Sequence, residues 1–239
     1  MCYIKETGII KTVLDFLKRI FNGKTNENTM EEERNFGLVL SKMDGSEHIF
    51  ATEQPATSMP PAYSYKRFLP GVVNQGMDSI CVPCSLSAYL NWKQNLETGS
   101  KKDNKVDYFE IYDKRGHEWD GMSFKQALGI LRHEGVASAS GRLGIHEYAL
   151  ISSKAALQTA ILMNGPCVGA LPVYNDSPRF WKEQKNDGFY GYHAISIVGY
   201  DKDGFIIRNS WGPKFGDNGY TTLKYEDFGQ FVEIWTILD

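Results

Sequence analysis

The chain reads as an α+β protein with a helical half followed by a sheet-forming half, and three observations carry that reading. Capped, helix-spaced apolar segments recur between residues 81 and 164. Short β-rich runs separated by Gly, Asp and Asn turns fill the C-terminal third, and no internal repeat is present. At 239 residues, with 42% hydrophobic and 23% charged content, the chain is long enough to bury a core of one large domain or two subdomains. Its formal charge of -3, from 26 basic and 29 acidic residues, lacks the basic excess that binding to phosphate backbones leaves, so no nucleic-acid partner is expected.

Taken in order, residues 1–34 form an extension. Ile9, Val13, Leu14, Leu17 and Ile20 recur at helical spacing with Lys, Asp and Arg opposite, which predicts an amphipathic helix that docks on its own domain, a partner or a membrane surface. Lys11, Asp15, Lys18 and Arg19 interrupt every run long enough for a signal-peptide core or a transmembrane segment, so the expected location is cytoplasmic. The polar stretch at 22–35 is a linker. From Phe36, two short apolar runs flank Asp44-Gly45 and predict a hairpin, and Pro55, Pro60 and Pro61 impose an extended passage towards Gln75.

A helix is expected to begin at or near Cys81, where Pro83 is tolerated in the first turn, and to end before Gly99. A second covers 123–134, opened by Ser123 and closed by Gly135. A third covers 152–164, capped by Ser152 or Ser153 and stopped by Gly165-Pro166. The runs CVGALPVY, HAISIVGY, GFIIRNSW, YTTLKY and FVEIWTIL follow as strands.

The chemistry turns on two cysteines three apart, Cys81 and Cys84. With Cys2 and Cys167 they make four cysteines, too few for a disulfide scaffold, which fits a reducing compartment. A thiol nucleophile needs a base, a group to orient that base, and donors for the oxyanion. His193 is the one histidine set in an apolar strand-like run. The turn at 201–204 folds the next strand back, returning Asn209 to its neighbourhood, where Asn209 would accept the Nδ1 proton of the imidazole and Trp211 would shield that bond. Each residue alone has a plainer reading: His193 as a structural histidine, Asn209 as a turn former, Trp211 as core.

The blocks NQGMDSICVPCSLSA, NGPCVGALPVY and GYHAISIVGYDKDGFIIRNSWG, in this order, resemble the signatures of papain-like cysteine peptidases, with the bacterial and phage-type members nearest in character. The resemblance implies a papain-like two-subdomain fold over residues 35–239. A helical subdomain, mainly 75–140, and a β-rich, barrel-like subdomain, mainly 145–239, would have the active-site cleft between them. It also implies roles. Gln75, six positions before Cys81, becomes the oxyanion donor and Cys81 the nucleophile; His193 becomes general base and acid, Asn209 its orienter and Trp211 its shield. Cys81 at a helix N-terminus and paired with His193 would favour thiolate. Gly121 is nominated to pair with substrate backbone and Ala194 to line a side-chain pocket. No cofactor or metal is implied, and the substrate would be a peptide or protein hydrolysed through a thioester.

The chain departs from the family pattern at Ser79-Ile80 before the nucleophile and Val82 after it. Two alternatives therefore stand beside the peptidase: a catalytically impaired scaffold used for binding or assembly, and a thiol-disulfide exchange protein using Cys81 and Cys84. Zinc lacks a second Cys or His pair. The extension at 1–34 is open between inhibitory, targeting and structural roles.

Overall fold

In the computed structural model, residues 36–50, 59–116 and 120–239 are described, all within one compact unit spanning Arg34–Asp239. The expected N-terminal helix lies outside them. Strand β1 (Ile49–Phe50) and strand β2 (Tyr63–Ser64) come first, followed by helix α1 (Cys81–Thr98). Helix α1 ends as the sequence requires, at Gly99 in a left-handed conformation with φ 62°, where a Cβ would be strained. Helix α2 (Tyr108–Asp113) is a single short segment, capped by the Asp107 carboxylate, which accepts from the Phe109 and Glu110 amides. Helix α3 (Phe124–His133) is capped by the Ser123 hydroxyl, and after β3 (Val136–Ser138), β4 (Gly141–Leu143) and β5 (Glu147–Ile151), helix α4 (Lys154–Asn164) is capped by Ser153.

The remaining strands are β6 (Cys167–Val173), β7 (Gly191–Tyr200), β8 (Gly204–Arg208), β9 (Tyr220–Lys224) and β10 (Glu233–Leu238). They join one sheet in the order β1-β5-β10-β6-β7-β8-β9, with β2 also pairing β7. Every pairing in it is antiparallel except β1 on β5. The β7–β8 hairpin forms around residues 201–204, pairing Tyr200 with Phe205 and Ser196 with Arg208 across a bulge. This register delivers residue 209 to the side of β7 that carries His193.

Helix α1 packs against β7, and its buried residues include Cys81, Val82, Leu86, Tyr89 and Leu90. Several of its buried polar side chains are engaged: Asn95 donates to the carbonyls of Phe68 and Lys102, Asn91 to that of Ser87, and the Ser85 and Ser87 hydroxyls to those of Val82 and Cys84, while Trp92 Nε1 is buried without a hydrogen-bond partner among the described residues.

The segment 36–50 differs from the expected hairpin. A turn does form at 44–47, where Glu47 accepts from the amides of Asp44 and Gly45, but its arms do not pair with each other. One arm joins the sheet edge as β1. The other, Phe36 to Leu38, bridges Met122 on one side and Tyr192 on the other, because two unsatisfied backbone edges are available there and only one can be offered by its own hairpin partner.

Candidate active site

Cys81 is the first residue of α1, preceded by Ile80 at the cap position. Its thiol lies against the backbone of Ala194, the residue after His193, and against that of Gly37. It has no solvent exposure. Burial pushes the thiol up to about 11, although the backbone groups at Ala194 and Gly37 pull the other way. This corrects the expectation of a favoured thiolate: in this closed arrangement the charged form has lost its water, and desolvation outweighs the helix terminus.

His193 sits in β7 with no exposure, and Asn209 follows the end of β8. The imidazole Nε2 and Asn209 Oδ1 are 2.7 Å apart. The expected partnership is present, but through Nε2 rather than Nδ1, because the ring enters from β7 with Nε2 turned towards β8. Trp211 lies against the ring at 4.6 Å between centroids and 31° between planes.

Two further aromatic residues, absent from the sequence reading, complete the enclosure. Phe180 meets His193 edge-on at 5.8 Å and Trp211 at 4.9 Å, and Phe36 meets the same two rings at 6.3 and 6.2 Å. Phe180 stands in a loop-like passage with no periodic signal, so nothing in the sequence singled it out.

Gln75 is buried. Its amide donates to the Ser210 carbonyl at 2.8 Å, and its Nε2 donates to the Asp78 carbonyl at 3.0 Å. Residues 73–75 thus run beside 210–212, with Asn74 bridging Trp211 and the Gly212 amide donating to Val73.

Gly121 has φ 95°, a region that favours glycine, and its amide donates to the Tyr112 hydroxyl at 3.0 Å. The backbone that pairs with an extended segment belongs to its neighbour. Met122 donates to the Gly37 carbonyl at 2.8 Å and accepts from the Val39 amide at 3.1 Å. Gly121 permits this close approach, since a Cβ there would press on Gly37 and Val39. Ala194 is fully buried and borders a small cavity shared with Cys84, Ser196, Arg208 and Asn209.

Residues 36–39 are a strap across this site. A Cβ on Gly37 would collide with the Ser79 backbone two residues before the thiol, so glycine is what lets the strap lie so close. Beyond the cleft the strap is tied down where Ser41 donates its amide to Glu233 and where Lys125 pairs with Asp44 at 3.1 Å and Glu47 at 2.7 Å. Cys84 is buried and unpaired, as is Cys167, and burial pushes the Cys84 thiol up. Among the described residues, no three His, Cys, Asp or Glu side chains are grouped to hold a metal, and no helix is long and apolar enough to cross a membrane.

Residues 87–232 match the profile of the family described as papain family cysteine protease; the match takes in His193 and Asn209 and starts beyond Cys81. The chain is 32% identical to cathepsin J of Mus musculus over 92% of its own length and 75% of that protein. It is 33% identical to cathepsin B-like cysteine proteinase 1 of Haemonchus contortus over 33% of the chain, spanning 25% of that relative. Its fold resembles those of xylellain, a cysteine protease from Xylella fastidiosa, and procathepsin B S9 from Trypanosoma congolense. The first has a TM-score of 0.71 at 21% identity, covering 86% of this chain and 96% of that one. The second has a TM-score of 0.70 at 15% identity, covering 95% and 98%.

Proposed function

Since the chain belongs to the papain family of cysteine proteases, we propose that it is a cysteine peptidase working through Cys81 and His193, held latent in this form by its own strap at residues 36–39. The observation that carries the reading is the 2.7 Å bond between His193 Nε2 and Asn209 Oδ1, with the Cys81 thiol against the backbone of the very next residue, Ala194. In the reaction, Nδ1 of His193 takes the thiol proton and the thiolate attacks a peptide carbonyl. The carbonyl oxygen turns towards Gln75 Nε2 and the Cys81 amide, and the imidazolium returns the proton to the departing amine. Water then opens the thioester with His193 as base. Asn209 orients the ring, and Trp211 and Phe180 keep water from its bond.

The polarity of the strap explains why it blocks without being cut. A scissile peptide must set its leaving amine, which belongs to the carboxyl-side residue, beside the imidazole that protonates it. The strap sets its amino-side residue, Phe36, beside His193 and Trp211, and carries its carboxyl-side residue, Leu38, away to Met122. It runs opposite to a cleavable peptide.

The proposal includes a catalytic domain at 35–239 with residues 1–34 as an extension. It also includes a likeness to bacterial-type members, supported by the near-complete coverage of xylellain, and a reducing, cytoplasmic setting, supported by the unpaired thiols. The test is hydrolysis of fluorogenic peptides by the full chain and by its Gly37→Ala variant, with Cys81→Ala as control. Cleavage that rises in Gly37→Ala and disappears in Cys81→Ala is the expected result; turnover that survives Cys81→Ala refutes the assignment.

A further inference from the structure

The turn that carries Phe180 is pinned by a side chain the reaction above does not use. Residues 179–182 close on themselves where the Lys182 amide donates to the Arg179 carbonyl at 2.8 Å. Asp227, on the short 3-10 helix Tyr225–Gln230 that follows β9, is buried, and three side chains of this turn converge on its carboxylate. Lys182 Nζ reaches Oδ1 at 2.5 Å, Arg179 lies 3.6 Å from Oδ2, and Trp181 Nε1 donates to the same Oδ2 at 3.4 Å. Burial pushes the Asp227 carboxyl up, but the bonds from Lys182 and Trp181 and the two cations bring it below its ordinary value. The two cations are part-exposed and their attraction alone is weak. The stronger restraint is that opening the turn would leave a buried carboxylate without partners.

The fourth side chain of the turn goes to the catalytic ring. Phe180 has no exposure and meets His193 at 5.8 Å, Trp211 at 4.9 Å and Phe215 at 6.2 Å. Its carbonyl accepts from the Tyr174 amide at 2.9 Å, just past the end of β6. That bond fixes one point of the turn, and Asp227 fixes the rotation of the turn about that point. Arg179 on one flank of Phe180, with Trp181 and Lys182 on the other, share one anchor. The phenyl ring therefore cannot swing away from the imidazole without pulling those groups off the carboxylate.

We propose that Asp227 is a positioning residue for the His193 imidazole, acting through Phe180. This rests on the peptidase reading and extends it beyond the residues that meet the imidazole directly.

The test is a double-variant cycle in the full chain carrying Gly37→Ala, with kcat and KM measured on one fluorogenic peptide for Asp227→Ala, Phe180→Ala and the two together. Each single variant is expected to lower kcat roughly tenfold with KM within about twofold, because the ring they disturb moves the proton and does not hold the substrate. The pair is expected to lose no more than Phe180→Ala alone, since Asp227 acts only through that ring. Asp227→Asn, of the same size and with an oxygen left for Trp181, is expected to recover part of the kcat lost in Asp227→Ala, and it carries the same cycle if the alanine variant fails to fold. Losses that multiply in the pair, a loss confined to KM, or a kcat unmoved by either Asp227 variant overturn the proposal. Absence of Cys81-dependent turnover in the Gly37→Ala parent overturns the peptidase reading beneath it.

Discussion

The two nitrogens of His193 have separate duties, and Asn209 decides which has which. Asn209→Ala removes the acceptor for Nε2 inside an aromatic enclosure, where a bond to a ring that becomes charged is worth about 1.5 to 3 kcal/mol. Measured in a Gly37→Ala background, kcat/KM should fall roughly 10- to 100-fold; an unchanged value would show that the ring is held by packing alone. At this scale the sequence was legible in residue types. The Gln-to-Cys interval, the strand histidine and the returning Asn209 pointed to the residues that the fold gathers. Two details were not legible. Which imidazole nitrogen faces Asn209 depends on a ring orientation that has no sequence signature. The state of the Cys81 thiol depends on a cover supplied by Gly37, 44 positions earlier, and burial under that cover raises the proton affinity that a helix terminus would lower.

Among elements, the strap is the one whose role changed most between sequence and structure. Its apolar run has the pattern of a hairpin arm, and local pattern cannot tell an arm that pairs with its neighbour from one that pairs across a cleft. Helices α1, α3 and α4 were readable from caps and periodicity, whereas α2, six residues long, is too short to show a period. The same reasoning ranks the contacts that hold the strap. Gly37→Ala places a methyl into the Ser79 backbone and should raise the rate at which an epoxide inhibitor labels Cys81 by tenfold or more. Lys125→Ala breaks an exposed ion pair with Asp44, which contributes little in water, and a part-buried one with Glu47; both lie away from Cys81, so the variant should change labelling less than Gly37→Ala does. A labelling rate raised by Lys125→Ala but not by Gly37→Ala would reverse this ranking and put the latch outside the cleft.

On the scale of the whole molecule, a helix-and-sheet core buries Cys81, Cys84 and Cys167 together, and burial raises all three thiols, Cys81 to about 11 and Cys167 to about 12. Above the ordinary thiol value near 9 the unfolded chain gives up these protons while the folded chain keeps them. The stability these protonated thiols contribute is therefore fully present below about pH 9 and is lost as pH rises towards 11, by on the order of 1 kcal/mol per pH unit for each thiol. Thermal melts should show Tm dropping by roughly 10 °C between pH 9 and pH 10; a flat Tm over that range would mean that the thiols are hydrated in the folded state. The central claim concerns one sulfur and one ring, and it is tested most directly by treating the Gly37→Ala chain with a papain-class epoxide inhibitor at neutral pH and mapping the adduct by mass spectrometry. A single adduct on Cys81 that disappears in the His193→Ala, Gly37→Ala double variant is the predicted result. An adduct on Cys84 or Cys167 instead, or labelling of Cys81 indifferent to His193, would contradict it.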